Sequence, residues 1–100
     1  MTSNLSITLF HDEGNDFRDT KLTMESDGGL KIHTHDIGPR IKQVLDHDDY
    51  EFSVRIPPSS VAMLAFTLLR EKYTGSSRAV DELHTYCKQH QIESEWESWP

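Results

Sequence analysis

Hydrophobic and polar residues alternate along much of the first half of the chain, and further on the spacing changes to that of helices. Leu5, Ile7 and Leu9 are separated by Ser6 and Thr8, so a strand starting at Leu5 places the three aliphatic side chains on one face. The polar run from His11 to Asp16 interrupts it. Leu22 and Met24 begin the alternation again and Leu30 and Ile32 resume it, with Ser26-Asp27-Gly28-Gly29 between them. Asp-Gly and Gly-Gly supply the positive φ angles of a tight turn, which predicts a hairpin. Tyr50, Phe52, Val54 and Ile56 alternate with Glu51, Ser53 and Arg55, the clearest strand signature in the chain.

Asp36-Ile37-Gly38-Pro39 reads as a helix start, with Asp36 or Gly38 as cap and Pro39 in the first turn. Ile37, Ile41, Val44 and Leu45 then share a stripe. Pro57-Pro58-Ser59-Ser60 stops the preceding strand and offers hydroxyl caps to a second helix carrying Val61, Leu64, Ala65, Leu68 and Leu69. Gly75 suits its left-handed C-terminal cap. Ser76-Ser77 opens a third helix with Val80, Leu83 and Cys87 facing inward, Tyr86 at the boundary and an end at His90 or Gln91. From Ile92 to Trp99 the chain alternates once more. As a strand this segment sets Glu93, Glu95 and Glu97 on one face, roughly 6.6 Å apart, and Ile92 and Trp96 on the other. The order β-β-β-α-β-α-α-β predicts a single α+β domain over residues 1–100. Its sheet is mixed or antiparallel, with about three helices packed on it and the glutamate strand at an edge.

Charge narrows the range of partners. Seventeen acidic against ten basic side chains give a formal charge of −7, which argues against direct binding of nucleic acid or an anionic membrane. A small domain carries about 2 to 8 net charges for solubility alone, so the distribution is more telling than the total. Acids gather at Asp12, Glu13, Asp16 and Asp19, at Asp46, Asp48, Asp49 and Glu51, and at Glu93, Glu95 and Glu97. The lone Cys87 cannot make an internal disulfide, and residues 1–20 lack the basic start and apolar run of a signal peptide. No stretch approaches the roughly 20 apolar residues of a membrane span. The expectation is a cytoplasmic protein with no cofactor.

Candidate chemistry is sparse. His33 and His35 share a strand face beside Asp36, with His47 further on, and two imidazoles fall short of the ligands and supporting hydrogen bonds of a metal site. The same histidines are expected on the solvent face opposite Leu30 and Ile32. Asp46-His47-Asp48-Asp49 with Glu51 lacks the central glycine of a calcium loop. Cys87 lies four residues after Leu83 on an apolar stripe, the position of a small buried hydrophobe rather than a nucleophile. Neither Ser59 nor Ser60 sits in a G-x-S-x-G elbow. Trp96 shares parity with Ile92 and is expected in the core. Trp99 falls on the charged face, where it either packs on its own domain or anchors a partner. No catalytic residue is expected.

The runs D-x-G-P at Asp36 to Pro39, D-D-Y-E at Asp48 to Glu51, L-L-R-E-K-Y-x-G at Leu68 to Gly75 and the final I-x-x-E-W-x-S-W together span residues 36–99. This part of the chain resembles small acidic bacterial immunity proteins of contact-dependent or polymorphic toxin systems. The resemblance implies a protein that binds a cognate toxin domain, such as a basic nuclease, and covers its active site. The charge pattern nominates Asp46, Asp48, Asp49, Glu51, Glu93, Glu95 and Glu97 as contacts that occupy phosphate positions and speed encounter, with Trp99 slowing release. The alternatives are a small metal-binding enzyme or regulator using His33 and His35, and an adaptor for a non-toxin protein.

Overall fold

The alternating segments form one antiparallel sheet in a computed structural model that describes residues 4–14, 17–38 and 49–100. β1 (Leu5–Asp12), β2 (Phe17–Met24), β3 (Leu30–Ile37) and β4 (Asp49–Ile56) lie side by side in chain order. Two helices follow, α1 (Pro58–Tyr73) and α2 (Ala79–Gln89). The class is α+β. The helix expected around Ile41, Val44 and Leu45, with Pro39 in its first turn, and the acids Asp46 and Asp48 lie outside the described residues. The chain divides into two compact units, Met1–Ala65 and Phe66–Pro100. The first contains the sheet and the start of α1; the second contains the rest of α1, α2 and the C-terminal segment.

Register decides what each sheet face carries. Met24 pairs with Leu5 and Leu30, and Leu30 with Ile56; Leu22 pairs with Ile7 and Ile32, and Ile32 with Val54. Residues opposed across a ladder point the same way, so these aliphatic side chains make one continuous face. The other face takes Lys21, His33 and Ser53 in one row and His11, Asp19, His35 and Glu51 in the next. β1 departs from simple alternation: the register shifts between Thr8 and Phe10, so Phe10, not Leu9, opposes Thr20. The extra residue of a bulge takes Leu9 out of the expected row with Leu5 and Ile7.

The β2–β3 turn is held from three sides. Gly28 takes φ 92°, Glu25 and Gly29 are joined by a backbone hydrogen bond of 2.8 Å, and the Gly29 N–H also donates to Asp27 Oδ1 at 2.8 Å. Arg55 reaches from β4 to donate to Glu25 at 2.6 Å and to Asp27 at 2.8 Å. A Cβ on Gly29 would come within 3.0 Å of the Ile56 carbonyl oxygen, so the turn lies against the β4 backbone.

Several local expectations are corrected. Asp36 belongs to β3 and does not cap a helix. α1 begins at Pro58, where the missing N–H costs nothing, so Ser59 and Ser60 lie inside its first turn. Its end is as expected, with Gly75 at φ 87°. In α2, Cys87 is buried and Leu83 half-buried, but Val80 is exposed. Among the described residues Cys87 is the buried apolar side chain, whereas on the sheet Leu5 and Ile7 keep about 60% of their surface and Val54 keeps 67%.

Replacing Gly29 with Ala forces the turn away from β4 and should lower the unfolding free energy by about 1–3 kcal/mol. Urea denaturation checks this, and an unchanged midpoint would mean that the turn and β4 are not in close contact.

Candidate partner-binding surfaces

The register that joins Met24 to Leu30 also brings Arg18 opposite Asp36 on the aliphatic face. Arg18 grips the carboxylate with both arms, Nε to Oδ1 and Nη2 to Oδ2, each at 2.7 Å. Asp36 is 6% exposed while the Arg18 side chain is half exposed, so the pair is anchored inside and screened outside. The hydrogen bonds from Arg18 hold the Asp36 carboxyl below its ordinary pKa, against the opposing effect of burial. One rung inward the hydroxyls of Thr20 and Thr34 meet at 2.8 Å, and the Arg18 guanidinium lies 5.9 Å from the centre of the Phe52 ring. The aliphatic face thus ends in a polar plug in which the buried oxygens have partners. The sequence offers Asp36 or Gly38 as a helix cap, whereas Asp36 pairs with Arg18. Its parity with Leu30 and Ile32 was the signal that placed it on the aliphatic face.

Of the acids nominated between residues 46 and 51, Asp49 and Glu51 are described, and both sit exposed on the polar face of β4. Glu51 Oε1 is 3.4 Å from His33 Nε2, and Asp49 Oδ2 is 3.8 Å from His35 Nε2. Each histidine therefore faces a carboxylate of its own, and among the described residues no group of three His, Cys, Asp or Glu side chains could hold a metal ion. At the other side of the sheet His11 lies between two acids, Nε2 3.0 Å from Glu13 and Nδ1 2.9 Å from Asp19. Those hydrogen bonds, Glu13 first and Asp19 next, raise the His11 pKa. Phe17 presents its ring edge-on to His11 at 5.2 Å and to His35 at 6.3 Å. The polar face is a mosaic of imidazoles and carboxylates around one aromatic ring.

The last acidic cluster is built differently from the expected strand. Gln91 adopts φ 52°, and after it Ile92 N–H donates to the Cys87 carbonyl at 2.8 Å and Gln91 N–H to the Lys88 carbonyl at 3.4 Å. This paired arrangement is a Schellman stop, made here with glutamine at the left-handed position where glycine is usual. Residues 92–100 then run without helix or strand and form no ladder. Glu93, Glu95 and Glu97 are all exposed. Trp96, expected in the core, is half exposed and rests on His84 with ring centres 5.0 Å apart. Trp99 is 81% exposed. The two acidic clusters belong to different units of the chain.

Apolar surface extends to α1. Val61 and Leu64 are half-buried, as their stripe predicts, but Leu68, Met63 and Phe66 are exposed, the last two at more than 60%. A helix that is apolar on several sides is one that neighbours usually cover. Leu64 joins Leu22, Leu30, Lys31, Ile32, Val54 and Ile56 around a groove of about 190 Å³. Among the described residues no helix is long and apolar enough to cross a membrane. Compared with known protein families, with functionally described proteins and with solved structures, the chain gives no match.

Because the Asp36 pKa is lower in the folded than in the unfolded state, its contribution is complete above the unfolded value of about 3.9 and is lost as pH falls through the folded one. Asp36→Asn should cost about 1–3 kcal/mol at neutral pH, and the gap to the parent should shrink on acidification below about pH 4. Urea titrations at a series of pH values read both effects; a gap that persists in acid would assign the cost to packing instead. At the other end of the chain, Gln91→Gly should raise stability by about 1 kcal/mol by relieving the left-handed conformation. A lowered melting temperature for that variant would contradict the Schellman stop.

Proposed function

We propose that this chain is a protein-binding module of the immunity type, which recognises a basic toxin domain such as a nuclease and neutralises it by covering its active site. The observation that carries the reading is the aliphatic sheet face, left exposed at Leu5, Ile7 and Val54, on a sheet whose other face carries the solvent-facing carboxylates of Asp49 and Glu51. Contiguous apolar surface on a small protein marks a place where another molecule sits. The net charge of −7 and the exposed Glu93, Glu95 and Glu97 make a cationic partner the favoured one.

Magnitudes divide the work between the two surfaces. Fully burying a Val, Leu or Ile side chain yields about 1.5–3 kcal/mol, whereas an exposed ion pair yields about 0–1 kcal/mol. The aliphatic face therefore sets how long the complex lasts. The carboxylates set how fast it forms and which partners are rejected. Trp99, exposed at the end of the acidic segment, adds a large aromatic anchor of the kind that dominates interface energetics. Carboxylates placed against a nuclease occupy the positions of substrate phosphates, so inhibition needs no chemistry from this chain and no catalytic residue.

The test is kinetic, on a partner captured from a native lysate and purified. Reversing Glu93, Glu95 and Glu97 to Lys, or Asp49 and Glu51 to Lys, should slow association about tenfold or more and flatten its salt dependence. Val54→Asp should chiefly speed dissociation. Rates unchanged by all three variants would contradict the proposal.

A further inference from the structure

The sheet has two edges, and they differ. β1 is broken by the register shift between Thr8 and Phe10, a device that blunts an edge against further pairing. β4 runs in unbroken register with β3 from Asp49 to Ile56, and no described strand lies along its outer side. Its side chains are exposed from Asp49 to Arg55. A regular eight-residue edge without bulge or internal proline is a template for another strand.

The character of β4 identifies that strand. About Ser53 the sequence is a palindrome of type: Phe52 and Val54 are apolar, Glu51 and Arg55 carry opposite charges, and Tyr50 and Ile56 are apolar again. In an antiparallel pair the faces match only when opposed residues share parity. A two-fold axis at Ser53 satisfies this and opposes Glu51 with Arg55 twice, Phe52 with Val54 twice and Tyr50 with Ile56 twice. Arg55 spends Nε and one Nη2 hydrogen on Glu25 and Asp27, which leaves about three of its five N–H groups for a second carboxylate. An axis at Glu51 would set two carboxylates against each other. Past Ile56, Pro57 has no N–H to offer, so the ladder ends where the palindrome does.

We propose that β4 pairs antiparallel with β4 of a second copy of this chain, with Ser53 on the two-fold axis, joining two four-stranded sheets into one of eight strands. The pairing continues the aliphatic face across both copies, because Phe52 and Val54 lie on it. It does not depend on the identity of any toxin partner.

Sedimentation equilibrium of the full chain should give twice the chain mass, and Glu51→Arg, which turns both cross-axis attractions into repulsions, should raise the dimer dissociation constant about tenfold or more. Opposed residues lie within disulfide reach, so Ser53→Cys should form a covalent dimer on mild oxidation while Thr8→Cys on the bulged edge should not. Ser53→Cys leaves the Arg55 clip on the hairpin untouched, so its result does not hinge on that contact. A monomer at about 100 μM would overturn the proposal. So would a dimer that fails to cross-link through residue 53.

Discussion

The pairing of Met24 with Leu30 fixes which side chains share each face of the sheet. A strand has period two, so a slip of one residue would carry every side chain of β3 to the opposite face. The Gly28-Gly29 turn, the Asp27 side chain and the Arg55 clip fix the register at its closed end. Thr20 with Thr34 and Arg18 with Asp36 hold it at the open end. Between these two anchors lie Leu22 and Ile32, whose neighbours Ile7 and Val54 extend the aliphatic row to both edges.

That constraint explains how two kinds of surface arise from one sheet. The register puts aliphatic side chains on one side and the imidazole and carboxylate mosaic of His11, Asp19, His35 and Glu51 on the other. Charge enters the aliphatic side at Asp12, Arg18 and Asp36, where Arg18 and Asp36 neutralise each other and the Asp36 carboxylate is buried. A partner meeting this side therefore meets a hydrophobic face with a fixed polar rim, the division of labour common in protein interfaces.

Much of the sheet was legible in the residues. The strands around Leu22, Leu30 and Phe52 and the turn between the first two follow from alternation and from Asp-Gly-Gly, because these are local signals. Leu9 was misplaced since a bulge depends on the pairing of β1 with β2, which a single strand's pattern does not contain. Asp36 was misread for a related reason: Gly-Pro after it suggests a helix start, whereas its partner Arg18 is eighteen residues away. The strand expected at Glu93 to Glu97 shows the limit most clearly. Alternation is necessary for a half-buried strand, but a ladder needs a neighbour, and the left-handed turn at Gln91 carries no glycine to announce it. Of the candidate site, Asp49, Glu51 and Trp99 lie on exposed surface as the charge pattern suggests, while the sequence predicts about three helices packed on the sheet and gives no sign that Leu5, Ile7 and Val54 stay exposed.

Hydroxyl-radical footprinting of the chain alone and in complex reads, residue by residue, whether a partner buries the open sheet face. Leu5, Ile7, Ile32 and Val54 should lose most of their reactivity in the complex, while Lys21 on the opposite face should change little. A bound partner that leaves the reactivity of those four residues as it is in the free chain would contradict that burial.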